Sequence, residues 1–311
     1  MIPQKSLSLK YYNEFGLIDS NSEEFSVVKK LMDSRGFHLV SSIGSGNYAE
    51  VYLGFTPNKK KEIAIKVMDL IQSSNKYETE FIFREIDIVR KLSHKNIIKI
   101  YELIKTPNKI MIFMELAPNG NIADWISKRG PFTELMSWIM FVPILKGLDH
   151  MHSQKIAHRN LKLENILLSE KMNPKLSDFC YAIIVDHKRP KSSSFCGSLP
   201  YFSPEILQYL PYNPFISDIW SLGVCLYIMV SNRLPFDFDD PKDMLEKQIM
   251  GNWKFTQRVH SEYSQEIKAF IAMMLEPDIS LRPNTKQLDK HKWIENESLL
   301  QRKAQLMGET Q

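Results

Sequence analysis

The chain has 311 residues, 43% of them hydrophobic, which supplies core material for two lobes and excludes disorder throughout. Its 40 basic and 36 acidic residues nearly cancel, leaving a net charge of +4; that balance argues against a general nucleic-acid or membrane-surface polycation and leaves small anionic ligands open. The three cysteines, Cys180, Cys196 and Cys225, are odd in number and lack metal-ligand spacing, which fits a reducing, cytoplasmic setting better than a disulfide framework.

Residues 1–36 read as an N-terminal extension. Within it, Asn21 followed by Glu24 is suited to cap a helix that places Phe25, Val28, Leu31 and Met32 on one face and ends at Gly36. The opening Met1-Ile2-Pro3-Gln4-Lys5 lacks the basic-then-apolar pattern of a secretory signal. From Phe37 to Met114 short β-like runs dominate: Phe37 to Ile43, Glu50 to Phe55, Ile63 to Met68 and Lys109 to Met114. One helical stretch, about Tyr77 to Leu92, interrupts them. Beyond Pro118 the periodicity is helical up to about residue 294, punctuated by turn signals at Gly130-Pro131, Pro211, Pro235, Pro277 and Pro283, and residues 295–311 form a tail. The apolar run Ile219 to Val230 is too short to span a bilayer and is broken by Ser221 and Gly223, so a buried helix is expected. The expected class is α+β, with a small β-rich lobe and a larger helical lobe. Lys59-Lys60-Lys61 and the stretch from His187 to Ser194 read as exposed loops.

Chemistry enters with Ile43-Gly44-Ser45-Gly46-Asn47-Tyr48-Ala49-Glu50-Val51, lying between two β-like runs. Its glycines permit a hairpin whose backbone N–H groups cover phosphate oxygens, although Ala49 stands where a last glycine would complete the pattern, and an ordinary glycine turn fits the same residues. Downstream, Ile63-Ala64-Ile65-Lys66 puts Lys66 on the side of its strand that carries Ala64, where it would grip the α and β phosphates. A lysine in an apolar strand needs a counter-charge, and Phe81-Ile82-Phe83-Arg84-Glu85 offers Glu85; a solvated surface helix is the alternative.

The run His158-Arg159-Asn160-Leu161-Lys162-Leu163-Glu164-Asn165-Ile166-Leu167-Leu168, followed by Ser177-Asp178-Phe179-Cys180, resembles the catalytic core of the protein kinases. The resemblance covers about Phe37 to Ile294. Phe195-Cys196-Gly197-Ser198 and Ile216 to Gly223 look most like the testis-specific serine/threonine kinases. It implies a bilobal kinase fold at 37–294, with an N-lobe at about 37–114, a hinge at about 115–117 and a C-lobe at about 118–294. It also implies ATP as ligand, with Asn165 and Asp178 holding Mg²⁺, and Lys162 touching the transferring phosphoryl group as in serine/threonine kinases. Ile43, Gly44, Gly46 and Val51 would cover the nucleotide. Val51, Ala64 and Leu167 would sandwich adenine, and backbone groups at Met114, Glu115 and Ala117 would bond it. His158 and Phe179, with Val89 and Tyr101, resemble the stacked hydrophobic spine. Glu205 and Arg282 match a buried ion pair, and Asp218 matches the helix-start carboxylate that braces the catalytic loop. Ser194 sits where activation-segment phosphorylation is expected, with Arg159 placed to pair its phosphate; an ordinary serine in a serine run fits as well, since Ser192, Ser193 and Ser198 are equally exposed by sequence.

Besides Ala49 in the glycine hairpin, two residues in the catalytic site depart from the family pattern. Asn160 holds the position of the aspartate that orients the substrate hydroxyl and takes its proton, and an amide has no useful basicity. Cys180 follows the Asp-Phe pair where the family has glycine; it either stiffens that loop or sits at ordinary dihedrals without consequence. The residues therefore imply a pseudokinase that binds ATP and Mg²⁺ and acts on a protein partner, a related active kinase foremost. The alternative is a slow serine/threonine kinase acting on protein substrates. Neither nucleic acid nor membrane is implied as a partner, and a link to spermatogenesis follows from the family likeness alone.

Overall fold

The computed structural model describes residues 29–30, 32–46, 49–57, 61–69, 88, 92–105, 109–185 and 191–308. The capping pair Asn21 and Glu24, together with Phe25, Val28 and Leu31, lies outside them. The chain divides into two compact units, one comprising Met1–Ile86 with Ile98–Pro118, the other Asp87–Ile97 with Asn119–Gln311.

In the first unit, alternating apolar residues build a five-stranded antiparallel sheet from β1 (His38–Gly46), β2 (Ala49–Phe55), β3 (Glu62–Asp69), β4 (Ile100–Lys105) and β5 (Lys109–Glu115), in the order β1-β2-β3-β5-β4. Because side chains alternate across a strand, the sheet has two distinct faces. One gathers Tyr52, Ile63, Ile65, Val67, Ile104, Met111 and Phe113 with Leu39, and is completed by Met32 and Phe37. Met32 comes from a helical turn closed by Gly36, whose φ of 80° suits a residue without Cβ, while Phe37 N–H bonds back to Met32 O at 3.0 Å. Burying Met32 and Phe37 against the sheet gives the end of the extension a structural role. The other face packs Met68, Ile110 and Ile112 against Ala49, Ile100 and Leu103.

One residue expected in the core is not there. Tyr101 is 37% exposed, and its hydroxyl and ring are capped by the Lys61 ammonium, at 2.5 Å and 4.6 Å respectively. Its neighbour Ile100 is the residue that packs inward. A one-residue error along a strand exchanges the two faces.

In the second unit, α1 (Ile122–Arg129) and α2 (Glu134–Ser153) precede the short strands β6 (Ile156–Ala157), β7 (Ile166–Leu168), β8 (Pro174–Leu176) and β9 (Ile183–Ile184). β6 pairs with β9 and β7 with β8, so the catalytic-loop residues and the Asp178 loop emerge from adjoining two-stranded ribbons. After them come α3 (Pro204–Leu207), α4 (Pro214–Ser231), α5 (Pro241–Ile249), α6 (Gln257–Glu262), α7 (Gln265–Met274), α8 (Thr285–Asp289) and α9 (Glu297–Gly308). The central helix α4 starts with Pro214 at its first turn and Asn213 as cap, whose Oδ1 accepts the Phe215 N–H at 3.1 Å. Ile219, Trp220, Leu222, Val224, Cys225, Leu226, Met229 and Val230 are fully buried on it, so the apolar run is a core helix.

Candidate active site

A catalytic loop must hold polar side chains at fixed positions, and here backbone amides anchored to one carboxylate do so. Asp218, buried on α4, accepts the His158 N–H (2.8 Å) and the His152 ring (3.0 Å) on Oδ2, and the Arg159 N–H (2.7 Å) on Oδ1. Such charge-assisted bonds pin Arg159 in a left-handed conformation, φ 61°. The His158 ring bridges the Ser177 carbonyl (3.1 Å) and the Asn160 N–H (3.3 Å), which makes it a neutral imidazole donating from Nε2 and accepting at Nδ1. Complete burial pushes its pKa down, against the opposing pull of Asp218 and Asp178. His158 also meets the Phe179 ring at 5.5 Å, and both are buried. Val89, the next member expected in that stack, lies outside the described residues.

The loop brings Asn160, Asn165 and Asp178 together. Asn165 donates from Nδ2 to the Asn160 carbonyl at 2.8 Å, while its own carbonyl accepts both the N–H and the hydroxyl of Ser177, each at 2.9 Å. This leaves its Oδ1 turned away from the Asn160 backbone. Asn160, 5% exposed, donates from Nδ2 to Asp178 Oδ2 at 3.3 Å and accepts the Ser198 hydroxyl on Oδ1 at 3.2 Å. Asp178 carries the left-handed φ of this loop, 61°, and its Oδ1 accepts the Cys180 thiol at 2.9 Å. Cys180 has no positive φ, so a side chain is tolerated there without backbone strain, and the thiol instead becomes a donor to the carboxylate. Asp178 and Asn165 Oδ1 are hard oxygen donors of the kind Mg²⁺ takes, and these two residues would hold that ion.

Ser198 was not singled out as a functional residue by sequence. Its position follows from Gly197, whose φ of 114° and lack of Cβ let the chain pass against the Arg159 carbonyl; a Cβ there would come within 2.7 Å of that oxygen. Lys162, two residues past Asn160, is half-buried at the start of the short 3₁₀ turn Leu163–Asn165. Leu167 is half-buried on β7.

Arg159 Nη1 donates to Ser192 Oγ at 3.2 Å and Nε to the Tyr181 carbonyl at 2.7 Å, so in this structure Ser192, rather than Ser194, faces the arginine. Glu205 and Arg282 form a buried two-bond ion pair at 2.8 Å and 3.1 Å, with the guanidinium 4.9 Å from the Trp220 ring centre.

In the first unit, Lys66 lies opposite Val51 on β2 and Ile112 on β5, and Ala64 opposite Leu53 and Met114. Directly opposed residues share a face, so Val51, Ala64 and Lys66 form one strip. Gly44 pairs with Val51 and Gly46 with Ala49, closing β1 and β2 into a hairpin over Asn47 and Tyr48, which lie outside the described residues. Ile43 is half-buried within it. Glu115 N–H and Oε1 bond the Lys99 backbone, each at 2.9 Å, and Met114, Glu115 and Ala117 are half-buried. Glu85 lies outside the described residues.

The ordered loop, the paired ribbons and the buried Glu205–Arg282 bridge belong to a protein kinase domain, and the protein kinase domain family model matches residues 37–294. The chain belongs to that family, and to its serine/threonine branch. Among its relatives, the mouse testis-specific serine/threonine-protein kinase 3 is 36% identical over 263 residues, covering 84% of this chain and 97% of the relative. The human testis-specific serine/threonine-protein kinase 4 is 35% identical, covering 85% of this chain and 84% of the relative. The chicken serine/threonine-protein kinase SIK2 is 34% identical over 87% of this chain but only 33% of its own length.

Proposed function

We propose that this chain is a nucleotide-binding kinase homologue with strongly reduced phosphotransfer, acting as a regulatory or scaffolding partner of another protein, a related active kinase foremost. The observation that carries this reading is the Asn160 amide, tied by Nδ2 to Asp178 and by Oδ1 to Ser198. A neutral amide in those bonds neither accepts a proton nor adds negative charge beside the reacting hydroxyl; loss of a general base is worth ~10²–10⁴-fold in rate. Apart from Ala49 at the end of the glycine hairpin, the nucleotide-facing residues keep the types that the family uses. Lys66 would bond the phosphates, Val51, Ala64 and Leu167 would hold adenine, and Asn165 and Asp178 would hold Mg²⁺. When bound, that ion neutralises charge on the phosphate oxygens.

The Ser198 bond favours a second reading. Because Asn160 Oδ1 already accepts one hydroxyl, it is able to orient a substrate hydroxyl too, and a slow serine/threonine kinase acting on protein substrates follows if positioning suffices. A cytoplasmic setting is supported by the free thiols of all three cysteines. Its likeness to testis-specific kinases suggests a role in germ cells.

Thermal unfolding tests the nucleotide half of this reading. ATP with Mg²⁺ at about 100 times its Kd should add about 2.7 kcal/mol of stability, visible as a raised Tm, and Lys66→Met should abolish the rise. A folded protein that gains no stability from millimolar ATP and Mg²⁺ is not a nucleotide binder.

A further inference from the structure

The activation segment of a kinase needs something to fasten it, and the described part of this one, from residue 191 onward, is fastened by hydroxyls and backbone. Ser192 is buried, at 8% exposure. Its N–H bonds the Tyr212 carbonyl at 2.8 Å and its carbonyl accepts the Tyr212 N–H at 2.9 Å, a two-way bridge just ahead of α4. Its Oγ accepts Arg159 Nη1 and the Ser194 N–H, both at 3.2 Å. The Tyr212 hydroxyl closes the ring by donating to the Ser194 carbonyl at 3.0 Å. Ser194 thus joins this network through its backbone.

The charges beside it are the arginine and, behind the arginine's backbone, the Asp218 carboxylate. Burial raises the pKa of the Tyr212 phenol and of the Cys196 thiol, so both are neutral near pH 7. Arg159 is itself held at its N–H by Asp218 and at Nε by the Tyr181 carbonyl, and its Nη2 is buried with no partner among the described residues. A buried guanidinium with an unmet donor makes each acceptor it does have costly to remove.

We propose that Ser192 is the positioning residue of the activation segment, and that its unmodified hydroxyl holds the segment in place of a phosphate on Ser194. The enclosed Ser192 oxygen supplies Arg159 with the acceptor that a phosphate would supply, so the segment is closed by default. The latch lies wholly within the second unit and does not depend on nucleotide.

Hydrogen exchange on phosphatase-treated full-length protein, shown by intact mass to carry no phosphate, tests this. The wild type should protect the amides of Ser192, Ser194 and Tyr212. Ser192→Ala should speed exchange at Ser194 and Tyr212 about tenfold, the loss of one net hydrogen bond, while the His158 and Arg159 amides held by Asp218 stay protected as internal reference. Ser192→Thr, which keeps the hydroxyl, should restore protection, and Ser194→Ala should leave exchange within about twofold of wild type. Should Ser192→Ala fail to fold, Arg159→Lys, which keeps the charge and loses the fork, should open the same amides. An unprotected segment in the phosphate-free wild type would overturn the latch. So would equal exchange in wild type and Ser192→Ala, or opening by Ser194→Ala as large as that by Ser192→Ala.

Discussion

The ground beneath the catalytic loop and the loop's reacting position are built from opposite materials. Beneath, charge does the holding: Asp218 takes the backbone of His158 and Arg159, and Glu205 grips Arg282. At the reacting position the side chain is a neutral amide, joined to Asp178 and Ser198 by bonds of 3.3 Å and 3.2 Å. Because Asp218 binds main-chain N–H groups, the loop's shape does not depend on what stands at position 160. The kinase fold therefore keeps its catalytic-loop geometry around an amide at position 160.

The contrast is broken most severely from below. Glu205→Ala strands a fully buried guanidinium and should cost about 3–5 kcal/mol, read as a lower urea midpoint. Next, Asn160→Asp sets a second carboxylate about 3.3 Å from Asp178 in place of a donor. In chelator this should destabilise by about 1–3 kcal/mol, and Mg²⁺ should restore stability in the variant more than in wild type. An Asn160→Asp protein whose Tm ignores Mg²⁺ would show that these side chains do not share a site. Ser198→Ala removes one hydroxyl from the amide and should cost about 0.5–1.5 kcal/mol.

The smallest effect is an acid one. His158 has its folded-state pKa pushed below 6.5 by burial, so the unfolded chain binds a proton first as pH falls. The stability this group contributes is full above pH 6.5 and declines below it. His94 and His291, depressed mainly by burial, act in the same direction. Urea midpoints at pH about 7.5 and about 5.5 should therefore fall with acid, and His158→Gln should flatten part of that fall while leaving the rest. An unchanged slope would mean that His158 titrates alike in both states.

Sequence reading captured what repeats or recurs locally. Alternation put Lys66 with Ala64 and packed α4 into the core, and the family likeness paired Glu205 with Arg282 across 77 residues. It failed where one residue's offset decides the outcome. Tyr101 and Ile100 are adjacent and equally apolar in pattern, yet only strand register says which faces inward. Family position picks Ser194 out of the Ser192-Ser193-Ser194 run, but the serine that meets Arg159 is chosen by the Tyr212 bridge, twenty residues away from Ser192. The same holds for Cys180, whose thiol finds Asp178 only because Asp178, and not Cys180, takes the left-handed backbone. Ser198 was visible as part of a family motif, but its bond to Asn160 depends on the turn at Gly197.

The central claim is that this kinase domain lacks one group, the carboxylate at position 160. Its most direct test is the initial rate of phosphate transfer from radiolabelled ATP to a serine-containing protein substrate, with saturating ATP and Mg²⁺, for wild type beside Asn160→Asp. The account predicts that the variant is faster by ~10²–10⁴-fold, the usual worth of a general base. Equal rates in the two proteins would contradict it.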